Sequence, residues 1–231
     1  MSKTIIFLVK IFDEKKYALD FMKGKIFANR LSYFRRLDEK QNANRGDKHE
    51  AVISWVQPKY ANLTINGRNI TQLAGPISIQ MTRHDHINIY CMYTGHSGEF
   101  ESLTEENLSD FKKYLEISED CLKLGKYAVV VTQCKTFIDR VRNAAKSNNY
   151  ECQARLVDYY DPNIFSGSFS EFDAVFKKRN EFSHQKEFRF AFDTGVSGDN
   201  PLILDIGDIT DITTLCNVKE FNELLTISLT K

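Results

Sequence analysis

The amino-acid sequence predicts a mixed α+β fold, mostly antiparallel sheets with flanking helices. Short runs rich in Val, Ile, Phe and Tyr recur along the chain, among them Ile5 to Phe12, Lys126 to Thr132 and Phe182 to Phe192, and such runs read as strands. Two stretches, Leu103 to Lys123 and Lys135 to Lys146, instead carry apolar residues at helical spacing. Strands and helices do not alternate strictly, so a sheet of βαβ units is not expected. At 231 residues the chain can bury a sizeable core, and a single domain spanning 1–231 is predicted.

The elements follow in order. Ile5 to Phe12 is an apolar strand interrupted by Lys10, a lysine that has to find a partner or an opening. Asp13 to Lys23 reads as a short helix with an acidic start, stopped by Gly24. Ile26 to Phe34 reads as a second strand, followed by a long polar loop from Arg35 to Glu50; a loop of this length in a compact domain is more often functional than inert. Val52 to Val56, Leu63 to Ile65 and Ile70, with a turn at Asn66-Gly67, suggest a meander. Pro76 to Met81 and His86 to Tyr93 are further strands, the second apolar on both faces and so expected to be central. After the helix at Leu103 to Lys123 come the buried strand Lys126 to Thr132 and the basic amphipathic helix Lys135 to Lys146. A strand at Cys152 to Tyr159, a Gly/Ser-rich loop at Asp161 to Ser170 and a connecting segment with Phe172, Val175 and Phe176 lead to Phe182 to Phe192. A Gly-rich turn, a strand at Leu202 to Ile206 and an amphipathic tail complete the chain.

Composition narrows the function classes. Hydrophobic residues at 42% and aromatic residues at 12% exclude general disorder. A formal net charge of zero argues against a protein that holds nucleic acid mainly through a basic surface, although local basic patches remain at Lys135 to Lys146 and Lys177 to Arg179. The five cysteines are scattered without a CxxC pair, which points to reduced thiols and a cytoplasmic location. The first apolar run is too short to span a membrane, and no membrane association is expected.

Nucleotide-binding glycine loops, HExxH and GxSxG are absent from the sequence. His84, His86 and His96 offer a weak metal set without a short-spaced third ligand, and a polar turn is the simpler reading. Cys91 sits in an apolar run that would raise its thiol pKa, which disfavours it as a nucleophile. The stretch Phe182 to Phe192, FSHQKEFRFAF, is the more informative one. As a strand it sends Phe188, Phe190 and Phe192 to one face and Gln185, Glu187 and Arg189 to the other. In the polar loop, Arg45, Asp47 and Glu50 crowd charges of both signs, with Ser32, Tyr33 and Arg35 just upstream. This is either a solvated loop balancing its own charge or a phosphate-binding site in which an arginine meets the phosphate and Tyr33 a ring.

Taken in order, the first strand, the segment KGKIFANRLSYF, the polar loop with its Asp and Glu, and a late FKKxxxFxxQxEFRF strand resemble a bacterial and phage family. Its members show a HYTS-like start, a loop ending NDxxE, and a late strand with an E-x-E-x-R pattern. That layout is similar to the ADP-ribosyltransferase fold. The resemblance implies NAD as substrate, with Glu187 and Gln185 as the late-strand catalytic pair, and Lys10, Ser32, Tyr33, Arg45 and Arg189 as contacts to NAD. Lys10 stands where that family has His or Arg. It further implies a toxin or effector of bacteria–phage conflict, with an RNA or DNA acceptor favoured over protein and an antitoxin as partner. Tyr17, Phe21 and Tyr33 are candidates to flank the nicotinamide. The alternatives are a binding module that has lost catalysis and a metal-dependent nuclease using Asp47, Glu50 and Glu187.

Overall fold

The computed structural model describes residues 3–37, 46–70 and 72–229. Its elements are β1 (Ile5–Phe12), α1 (Lys15–Met22), β2 (Lys25–Arg30), α2 (Leu31–Arg36), β3 (Val52–Val56), β4 (Leu63–Ile65), β5 (Arg68–Ile70), β6 (Ile77–Gln80) and β7 (Asn88–His96). They continue with α3 (Leu108–Leu115), α4 (Glu119–Leu122), β8 (Tyr127–Val131), α5 (Cys134–Ser147), β9 (Glu151–Leu156), β10 (Asp158–Tyr160), β11 (Gly167–Ser168), α6 (Glu171–Ala174) and β12 (Lys177–Arg179). The last are β13 (Glu187–Asp193), β14 (Leu202–Asp205), β15 (Thr213–Asn217) and α7 (Phe221–Leu224). The fold is α+β and mostly antiparallel; β10 with β12 is a parallel exception.

An eight-stranded sheet dominates, and β7 is its centre. One edge of β7 pairs with β13 from Asn88 to Tyr93. The other edge is shared: β1 takes Tyr93 to His96, and β2 takes only Asn88 and Ile89. Between these pairings β7 has no backbone ladder to either strand, and there Lys10 of β1 donates its side-chain Nζ to the Cys91 carbonyl at 2.7 Å. β9 extends the sheet beyond β13, β14 beyond β2, and β8 with β15 beyond β1.

Alternation along the central strands sorts the core. Leu8, Tyr90, Met92, Phe188, Phe190 and Phe192 face α1 and α5, meeting Phe21, Phe137, Val141 and Ala145. The opposite face carries two separate apolar clusters. Phe7, Val9 and Tyr93 pack on Phe111, Leu115 and Phe221, while Ile89 and Ala191 pack on Leu31, Ala51, Val175 and Phe176. Glu187 and Arg189 share the face of Ala191 on β13, with Glu187 directly across from Tyr93.

Several boundaries differ from the sequence reading. The run Ile26 to Phe34 is strand only to Arg30 and then turns into α2. Leu31 and Phe34 are three apart, a spacing that lets a helix place both against the same cluster. The helix expected over Leu103 to Lys123 is two helices, because Glu116 leaves helical backbone and the Ser118 side chain caps α4 by accepting from the Cys121 N–H. The strand expected from Phe182 starts only at Glu187: residues Asn180–Gln185 form a 3-10 turn, and Lys186 has φ +40°. Gln185 is therefore not a strand neighbour of Glu187. The C-terminal tail supplies β15, an edge strand on β8.

Candidate functional site

The polar row of β13 is the centre of a buried charge network. Arg189 is fully buried; its Nη1 donates to Glu50 Oε1 at 2.6 Å and to the Val175 carbonyl at 2.5 Å, and its Nη2 donates to Glu187 Oε2 at 2.8 Å. Lys178, on β12, donates to Glu187 Oε1 at 2.6 Å and Gln185 Oε1 at 2.7 Å, and its Nζ lies 3.9 Å from Glu50. Two cations thus face two carboxylates with almost no water, so each charge depends on its partners. Asp47, also fully buried, accepts from Arg179 at 2.8 Å and from the His49 N–H at 2.9 Å. Arg35 ties the same segment down by donating to the Glu50 carbonyl at 2.8 Å and to Asp85.

The two acids titrate in opposite directions. Burial pushes Glu187 up, but Lys178 and Arg189 outweigh it with charge and hydrogen bonds and hold the carboxyl well below its ordinary range. Burial also pushes Glu50 up, and there it prevails over the pull of Arg189 and Lys178. Such a split between neighbouring carboxyls is a common mark of functional sites, and ion networks of purely structural value share it.

Glu187 also reaches an opening. A groove of about 450 Å³ is lined by Lys3, His96, Tyr114, Leu156, Val157, Asp158, Tyr159, Ser183, Lys186 and Glu187. Tyr159 comes from β10 and accepts from the Glu187 backbone N–H at 3.0 Å. His96 ends β7, and its Nδ1 accepts from the Gly98 N–H at 3.0 Å. Burial, with Lys3 and Lys186 nearby, lowers its pKa to about 4, so the ring is neutral near pH 7. Lys186 lies with its Nζ 3.8 Å from the Tyr114 ring centre and donates to the Tyr114 carbonyl. The groove therefore combines an ionised carboxylate on a rigid strand with tyrosine walls and two ammonium groups.

The structure gathers only part of the expected set. Glu187 meets Arg189 directly and Gln185 through Lys178. Lys10 does not join them: it alternates with Val9 and Ile11, shares the face of Leu8 and Phe12, and its Nζ stands 4.3 Å from the Tyr90 ring centre on the far side of the sheet. Ser32 is buried in α2 with its hydroxyl unpartnered among the described residues, and Tyr33 is 42% exposed, packed edge-on to Phe34; neither lines the groove. Arg45 lies outside the described residues. Phe21 is core, and Tyr17 is 49% exposed on α1.

The two basic patches differ: Lys177 to Arg179 is engaged by acids of the chain, whereas Lys135, Arg142 and Lys146 on α5 stand exposed. Lys177 pairs with Asp158, Lys178 is buried, and Arg179 meets Asp47 and Glu181. On α5, Lys135 pairs with Asp139 and Arg140 with Asp211. Among the described residues no three His, Cys, Asp or Glu side chains are grouped as metal ligands, and Glu50 and Glu187 instead grip one guanidinium. No helix among the described residues is long and apolar enough to cross a membrane.

Sequence reasoning placed Glu187 and Arg189 together, but it read Lys178 as a surface cation and gave no role to Tyr159, Tyr114 or Lys186. Lys178 was traceable: it precedes the polar row by nine positions within the same FKKxxxFxxQxEFRF pattern. No family model, curated protein or solved structure matches the chain.

Proposed function

We propose that the chain is an ADP-ribosyltransferase-like enzyme that consumes NAD at this groove, with Glu187 as its catalytic carboxylate. The observation that carries the reading is an acid on a rigid central strand, held ionised by Lys178 and Arg189, at the wall of an open groove. Breaking the bond between ribose C1′ and the nicotinamide nitrogen sends the electron pair to the departing neutral nicotinamide. The ribose left behind is oxocarbenium-like, as in glycoside hydrolysis. Glu187 opposes that positive charge and holds a ribose hydroxyl, while an acceptor nucleophile attacks C1′ and loses its proton to solvent. Lys178 and Arg189 each take one site on the carboxylate; a carboxylate has about four lone-pair sites, so room remains for a hydroxyl donor. Tyr159 and Tyr114 supply flat apolar walls suited to ring groups. A groove of about 450 Å³ falls within the usual size of small-molecule sites, about 300–1,000 Å³. The Lys177 to Arg179 patch is engaged by acids of the chain, while the exposed basic face of α5 is left to guide a phosphate backbone, so RNA or DNA stays the favoured acceptor and a protein the alternative.

The test is nicotinamide release from NAD by the purified chain, alone and with candidate RNA, DNA or protein acceptors. It is paired with growth of cells expressing the chain, for a toxin role and for rescue by an antitoxin. Glu187→Gln is expected to lower release by roughly 10²–10³-fold, the scale for losing one preorganised charged group. Release at an unchanged rate, or none from the parent chain with any acceptor, sinks the reading. A second reading, a binding module without catalysis, is favoured by the occupation of both Glu187 oxygens; it predicts NAD binding without turnover.

A further inference from the structure

The groove has an uncompensated positive end. Its two acids are already satisfied: Asp158 accepts from Lys177 at 2.9 Å, and Glu187 is held by Lys178 and Arg189. Its two lysines are not, since among the described residues neither Lys3 nor Lys186 has a carboxylate within ion-pair distance. Lys186 is half-buried, so its ammonium has lost part of its water and received only a carbonyl and aromatic faces in return. Its backbone is also strained. Non-glycine residues at φ +40° are uncommon, and such strain clusters at ligand-binding positions. The strain is located between Gln185 and Glu187, and it turns the lysine out of the charge network into the groove. His96 stands beside both lysines, but its ring is already engaged: Nδ1 accepts from the Gly98 N–H, and the Tyr114 hydroxyl lies 3.2 Å from Nε2. Two ammonium groups next to tyrosine rings form the donor set for a compact, multiply charged anion that continues into a ring system.

We propose that Lys186 and Lys3 bind the diphosphate of a nucleotide in this groove. The inference rests on the groove assigned above to NAD and names the part of that substrate which this end would hold. Its distinguishing mark is that it requires binding but no bond cleavage.

The test is calorimetric titration of the full chain with ADP-ribose, which carries the diphosphate but no nicotinamide, with inorganic pyrophosphate and a short single-stranded oligonucleotide as competitors. ADP-ribose is expected to bind and pyrophosphate to displace it. Lys186→Gly is expected to weaken ADP-ribose binding by about tenfold or more, and Lys3→Gln to weaken it in the same direction, as losses of charge-assisted bonds do. Glycine adopts φ +40° without strain, so Lys186→Gly keeps the backbone, and an unchanged melting temperature shows that lost binding is not lost folding. Lys186→Asn, which also tolerates this conformation, is expected to repeat the result. Failure of ADP-ribose to bind, equal binding by the parent chain and the three lysine variants, or displacement by the oligonucleotide but not by pyrophosphate overturns the inference. The outcomes separate from those for catalysis. Lysine-dependent ADP-ribose binding without nicotinamide release upholds this site and sinks the enzyme, whereas Glu187-dependent release with KM unchanged in Lys186→Gly does the reverse.

Discussion

Replacing Arg189 with methionine tests whether the charge network holds the fold as its geometry requires. Methionine is long enough to fill much of the guanidinium's path, so the change removes charge and donors more than volume. Three acceptors lose a donor at once: Glu50 Oε1, Glu187 Oε2 and the Val175 carbonyl. Two buried carboxylates are then left with Lys178 as their shared cation. Breaking one side of a buried ion pair costs about 3–5 kcal/mol. With a urea m-value of about 2.5 kcal/mol/M, a 4 kcal/mol loss moves the unfolding midpoint down by about 1.6 M. Adding Glu50→Gln to Arg189→Met removes one stranded negative charge, so the double variant is expected to be more stable than the two single losses sum to, by about 1 kcal/mol or more. Equilibrium urea unfolding of the parent, both single variants and the double variant measures all these terms. An Arg189→Met loss below about 1 kcal/mol, or single losses that simply add, would refute the coupled network.

Other parts of the structure give independent expectations. Phe190, fully buried against Phe137 and the neighbouring Phe188 and Phe192, is expected to cost about 3–5 kcal/mol when changed to Ala, read as a lowered urea midpoint. His96 is neutral when folded and protonates only near pH 4, against 6.5 for its ordinary value. The unfolded chain therefore binds the extra proton first, and stability is lost as pH falls from about 6.5 toward about 4. Melting temperatures of His96→Gln should fall less steeply over that window; a slope identical to the parent's counts against the buried neutral ring. Gly24 has φ +91°, and a Cβ there would run into the Gly207 carbonyl, so Gly24→Ala is expected to lower the melting temperature by several degrees.

What was legible in the sequence was periodicity. Alternation in EFRFAF placed three phenylalanines in the core and two charges opposite them, and the apolar run around Cys91 marked the central strand. Where periodicities overlap, local pattern misled: RLSYF fits an alternating strand and a helix turn alike, and the docking of Leu31 on the third apolar cluster decided for helix. The placement of Gln185 failed because a left-handed lysine carries no compositional sign. Lys10 shows the limit of arguing from order along the chain. It lies on a strand joined to β7, but alternation sends it to the phenylalanine side, away from Glu187. The groove joins residues separated by up to 184 positions, from Lys3 to Glu187, and no local signal reaches that far.

The strand order carries a consequence for how the chain folds. β2 pairs with β14, and β8, which flanks β1, pairs with β15, so strands made early have neighbours made last. The central β7 gains its full edge only when β13 arrives about a hundred residues later. On the ribosome, an emerging N-terminal half therefore exposes Val- and Phe-rich strand edges with no lasting partner, the state most open to mispairing and to chaperone capture. In chain order β13 and its charges come after every other partner of β7, so Glu50 waits longest for the guanidinium that Arg189 brings to it.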